Sequence, residues 1–183
     1  MDDLSEVAMR VIKQLRAGDT SGAIEALTPW ATGQVGDDED RSFALELRAG
    51  AYEQAGRFDQ AGADRTLKYS LCTTDETRCI VAILIARNAK QRGVFDEEVS
   101  WLRRAIEHAQ ADPQAHGQVA AIRLLRTLTE DAITNDDRRA ALGLIRQVRG
   151  ETANVALDTT SLLDALTSIY EELRAGEGPA LEL

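Results

Sequence analysis

Apolar residues in this chain return every three or four positions and rarely alternate. Leu4, Val7, Ala8, Val11, Ile12 and Leu15 stand at the 3, 4, 7, 8 spacing of an amphipathic helix. The pattern predicts a helix to about Ala17, with Asp3 and Glu6 as a capping box. Gly18-Asp19 stops it, and Ala23, Ile24, Ala26 and Leu27 mark a second helix from about Thr20 to Ala31. Pro29 should shorten or kink that helix. After the glycine- and acid-rich connector from Thr32 to Asp40, the stretch Ser42 to Leu71 reads as two helices folded across Ala55-Gly56-Arg57-Phe58. There Gly56 takes the left-handed conformation, Phe58 enters the cleft between the helices, and Ala61 lets the two backbones approach.

The same unit returns further on. Thr73 and Glu76 suggest a cap for a helix through Ile80, Val81, Ile83, Leu84, Ile85 and Ala89, apolar around most of its circumference and hence deeply buried. Gly93-Val94-Phe95 repeats the glycine-x-aromatic turn before a helix carrying Val99, Leu102, Ala105, Ile106 and Ala109. Asp112-Pro113 opens the next one, with Val119, Ile122, Leu124, Leu125 and Leu128. Asn135 takes the place of the turn glycine, ahead of Ala140, Ala141, Leu144, Ile145 and Val148. After a linker from Gly150 to Leu157, Leu162, Leu163, Leu166, Ile169, Tyr170 and Leu173 predict a last helix over about 158–174, followed by a frayed tail, 175–183.

The turn residues Gly18, Gly56, Gly93 and Asn135 are 38, 37 and 42 apart. Small residues follow five positions later at Ala23, Ala61 and Ala140, with Glu98 interrupting the third unit. Leu27, Leu102 and Leu144 stand nine after their turns, where the second unit has Arg65. Four helix pairs at a near-constant period, over about 3–31, 40–72, 74–111 and 113–149, predict one domain over residues 1–174. Its fold class is all-α, a right-handed α-solenoid of antiparallel pairs in which each pair covers its neighbour's apolar face. The helix over 158–174 would cap the array.

Tyr52, Gly56, Phe58 and Ala61 resemble the tetratricopeptide repeat, and Ala86, Gly93, Phe95, Leu102 and Ala105 resemble a second copy. The tryptophan, leucine-glycine and terminal proline of that family are missing, and the period exceeds its 34 residues. The resemblance covers roughly residues 4–149. It implies a concave groove lined by the first helix of each pair. By that resemblance the partner-facing residues are Phe43, Glu46 and Glu53, then Ile83, Arg87 and Lys90, then Leu125 and Thr129. Arg87 and Lys90, three apart on one helix face, would hold an acidic group or chain terminus.

Composition narrows the function classes. A net charge of −10 disfavours general nucleic-acid binding, which needs a basic face. No apolar run is long enough to span a bilayer, and the start MDDLSEVAMR has the acids a signal peptide lacks, so a cytoplasmic location is expected. Cys72 and Cys79, spaced C-x6-C, fit no common zinc pattern with His108 and His116 and read as two reduced, partly buried thiols. Neither histidine has a neighbouring Ser or Cys with a third group, so both read as surface residues. No phosphate-binding glycine motif is present. No catalytic residue, cofactor or metal is expected. The partner is a protein or peptide segment, and the pattern is also compatible with homo-oligomers. Two other classes fit the same chain: an acidic antagonist or immunity-type protein covering a basic partner, and a sensor of a peptide or small-molecule signal.

Overall fold

Helices form where the apolar period is 3.6. The computed structural model describes residues 3–111, 115–128, 132–149 and 158–177. The helices are α1 (Leu4–Arg16), α2 (Thr20–Ala31), α3 (Asp38–Gln54), α4 (Phe58–Leu71), α5 (Asp75–Arg92), α6 (Phe95–Ala111), α7 (Ala115–Thr127), α8 (Asn135–Arg149) and α9 (Thr159–Glu177). No strand occurs among the described residues. The expected cap at Asp112-Pro113, the linker over 150–157 and the tail from 178 onward lie outside the described residues.

Four turns share one construction. Gly18, Gly33, Gly56 and Gly93 have φ of 81°, 73°, 71° and 73°. In each, the glycine N–H donates to the carbonyl three residues back and the next N–H to the carbonyl five back. At Gly56 these bonds reach Glu53 and Tyr52 at 2.9 and 2.8 Å, and at Gly93 they reach Lys90 and Ala89 at 3.0 and 2.9 Å. This double bond satisfies two carbonyls that a helix end leaves open, and it requires a residue that tolerates positive φ.

The chain forms two compact units, residues 1–73 with 87–95, and 74–86 with 96–183. In the first, α2 packs on α1 and α3, and α3 on α4. Leu4, Val7, Val11, Leu27, Trp30 and Leu45 form its core. In the second, α7, α8 and α9 pack on one another, with Leu124, Leu144, Leu162, Leu166 and Ile169 buried. A terminal cap needs one face packed on its neighbours and a polar face outward, and α9 packs on α7 and α8 while Asp164, Ser168, Glu171 and Glu172 are exposed.

Several local expectations are corrected. Asp3 caps α1 through the Ser5 N–H alone, at 3.5 Å, while the closed capping box is at Asp37 and Asp40, before α3. At α5 the cap moves one residue, since the Thr74 hydroxyl accepts from the Thr77 N–H. Pro29 does not shorten α2, which runs on to Ala31. Near a helix end proline forfeits one bond and still leaves room for the last turn. Asn135 is not a left-handed turn residue but the first residue of α8, and no described non-glycine residue has positive φ. Ala140 is half-buried, and the close-packed alanine is Ala141. Phe58 is half-buried and Phe95 exposed, so the aromatic enters the cleft at the first of these turns only in part and at the second not at all.

Candidate functional site

Arg65 stands where the first, third and fourth pairs carry the buried Leu27, Leu102 and Leu144. It is buried as they are, its side chain only 2% exposed. A guanidinium there must find acceptors, because an unpaired buried charge is far too costly. It finds them on α3 and α5. Nη1 donates to Glu53 Oε1 at 2.6 Å and to Asn88 Oδ1 at 2.7 Å. Nη2 donates to Glu53 Oε2 at 3.1 Å and to Glu46 Oε1 at 3.3 Å.

The cluster extends outward from this centre. Arg87 Nη2 donates to both Glu53 oxygens, at 3.2 and 3.0 Å, and Asn88 Nδ2 donates to Glu53 Oε1 at 2.7 Å. Lys68 Nζ donates to Glu46 Oε2 at 3.1 Å. Beside it, Arg48 forms a bidentate pair with the buried Asp64, both bonds 2.7 Å, and both Arg48 and Arg57 stack over Tyr52. Burial pushes the Glu53 carboxyl up, but Arg65, Arg87 and Asn88 outweigh it and hold it below its ordinary value. Burial likewise opposes the charge on Arg65, and the carboxylates of Glu53 and Glu46 more than restore it.

The residues anticipated as partner-facing separate into three groups. Glu46, Glu53 and Arg87 come together, but around Arg65. Arg87 is therefore already committed to an acid of its own chain. Ile83 and Leu125 are core residues and offer no side chain at the surface. Phe43 and Lys90 are exposed, and Thr129 lies outside the described residues. Arg65, Lys68 and Asn88 were not foreseen as members. The one signal for them was the break in the leucine register at Arg65.

The second unit has its own polar groups. Arg103 pairs with Asp137 at 2.9 and 3.0 Å beside a groove of ≈ 640 Å³ between α6 and α8. Burial raises the Asp137 carboxyl, and Arg103 and Thr134 bring it below its ordinary value. His108 is not a free surface residue; its Nδ1 lies 2.7 Å from Asp75 Oδ1. Cys72 and Cys79 are buried free thiols, and burial pushes Cys79 up to about 12, far from a reactive thiolate. Among the described residues no group of three or more His, Cys, Asp or Glu side chains could hold a metal ion, and no helix is long and apolar enough to cross a membrane.

The comparison with solved structures decides the fold. A crystal structure of nearly identical TPR-like repeats from a presumed kinesin light chain of Podosopora anserina superposes with a TM-score of 0.58 at 13% identity, over 95% of this chain and 99% of that one. A variant of the same protein gives a TM-score of 0.60 at 13% identity, over 94% and 88%. The fold is a TPR-like helical solenoid. No protein-family model and no curated protein matches the sequence. The chain thus has a TPR-like fold while sharing with the tetratricopeptide pattern only its turn glycines and a few packing positions.

Proposed function

We propose that this chain is a non-enzymatic adaptor that holds a segment of a partner protein against the first helices of its TPR-like pairs. The observation that carries the reading is the fold itself. Helix pairs stacked in this way present successive first helices side by side, a surface suited to a chain segment rather than to a small enclosed substrate. The polar network around Arg65 supports the same reading. It joins three helices through side chains that a more open arrangement would leave in water, and it keeps the scaffold's own charges internally matched. Of the anticipated contacts, Phe43 and Lys90 are exposed, while Arg87 already pairs with Glu53 through Nη2.

Affinity capture from the native cell at low and high salt, followed by peptides tiled along the captured partner, tests this. The adaptor reading expects one short peptide to compete with the whole partner, and capture to persist at high salt. If only the intact folded partner binds and salt abolishes capture, the acidic surface covers a basic partner and the antagonist reading replaces this one.

A further inference from the structure

Independently of the adaptor reading, we propose that two copies of this chain pair antiparallel through the exposed stripe of α1. Ser5, Met9, Ile12 and Arg16 follow one another at helical spacing and so share one side of the helix. All four are exposed, Met9 at 59% and Ile12 at 42%. Leu4, Val7 and Val11 point the other way and belong to the core. Two large apolar side chains left in water one turn apart, on a helix whose buried side is already filled, mark a contact surface.

The charges of α1 are unspent as well. Glu6 stands in its first turn, and Lys13 and Arg16 in its last. None of the three pairs with a group of its own chain among the described residues. Glu6 and Lys13 are two turns apart, hence on one flank of the stripe. Acid first and base last also suits the helix dipole, but the dipole does not account for Met9 and Ile12 left in water between them.

A two-fold axis midway between Met9 and Ile12 lays the second copy's α1 antiparallel on the first. Met9 of each copy then meets Ile12 of the other. Ser5 stands level with Arg16 of the other copy, and Glu6 lies within about 3 Å, along the axis, of its Lys13 and Arg16. Each contact occurs twice. Ser5 also lines, with Glu39, the groove of ≈ 270 Å³ at the start of α1, so the arriving Arg16 finds a second carboxylate there. A parallel pair would instead set Lys13 on Lys13 and Arg16 on Arg16. What one copy leaves open the other meets, and this closure selects a second copy over a foreign partner.

The pairing is small. α1 is about 20 Å long, and one such helix pair covers less than the roughly 1,200 Å² of a permanent interface. The dimer is therefore reversible, with a dissociation constant on the order of 10–100 μM.

Sedimentation equilibrium of the full chain from about 5 to 500 μM tests the pairing. The mass should climb from monomer toward dimer over that range. Met9→Glu should leave a monomer throughout, and Glu6→Lys or Lys13→Glu should each weaken pairing at least about tenfold. All three positions are exposed, so dilute samples of the variants should melt like the parent. An equimolar mixture of Glu6→Lys with Lys13→Glu should pair more tightly than either alone, because unlike charges then meet across the axis. That recovery requires Glu6 and Lys13 to face each other between copies. A parent that stays monomeric at the top of the range would overturn the proposal. So would self-association that Met9→Glu leaves intact, or a mixture no tighter than its components. Each of these results would leave the adaptor reading standing, since partner capture is read separately.

Discussion

Arg65 donates to both carboxylate oxygens of Glu53, at 2.6 and 3.1 Å, from a position where the other three helix pairs bury leucine. Asn88 and Glu46 complete the shell of the guanidinium. A charge has thus been built into a core register and then matched on every side.

Arg65→Met should cost about 3–5 kcal/mol, because it removes the buried partner of Glu53 and Glu46 and leaves Asn88 Oδ1 without its donor. Glu53→Met should cost a similar amount. The double variant should cost clearly less than the two added together, since the methionines leave neither charge unpaired. Denaturant melts of the four proteins give the coupling. Additive losses would show that the pair contributes no more than its packing.

Acid should loosen the fold in a defined window. The folded-state values of Glu53 and Asp137 lie below their ordinary 4.5 and 3.8. A carboxyl lowered on folding stabilises above its unfolded value, and that stability is lost as pH falls through the folded value. The melting temperature should therefore hold steady down to about pH 5 and fall below about 4.5. Glu53→Gln should start lower and show a shallower fall, and a slope equal to the parent's would exclude Glu53 as a source.

Three glycines should answer the same substitution differently. Gly56→Ala should cost about 1–2 kcal/mol, through positive φ alone, as an added Cβ meets nothing there. Gly117→Ala should cost about 1–3 kcal/mol, because its Cβ would overlap that of Ala109 and press on Leu144. Gly143→Ala, mid-helix with open space above it, should gain about 0.5–1 kcal/mol. Thermal melts giving one sign for all three would contradict these assignments.

The same residues show what was legible in the sequence. The turns were, because only glycine tolerates the φ that a doubly bonded helix end imposes, and its recurrence set the period. Ala23, Ala61, Leu27, Leu102 and Leu144 were legible because a fixed period maps onto a fixed core register. Asn135 misled, since its tolerance of the left-handed region is shared by its preference for helix starts. The surface was harder. Glu46, Glu53 and Arg87 have the composition of a binding face, and only three-dimensional distances reveal that they answer Arg65. The pattern places Ile12 on the α1 stripe, yet it is exposed, because periodicity cannot tell which edge of a wide stripe is left uncovered.

Removing residues 158–183 should expose the apolar sides of α7 and α8 that Leu162, Leu166 and Ile169 now cover. The truncated chain should self-associate in sedimentation experiments and melt lower. A monomer as stable as the parent would show that α9 is dispensable to the array.

The central claim is that a partner segment lies on the first-helix face. A photo-reactive residue placed at the half-buried Leu47 on the first helix α3, compared with one at the exposed Ala63 on α4, tests it most directly. The full chain carrying each would be irradiated with its captured partner and the adducts mapped by mass spectrometry. The account predicts an adduct from position 47 that disappears with Phe43→Glu, and little from position 63. An adduct mainly from position 63, or a bound partner that never crosslinks to position 47, would contradict it.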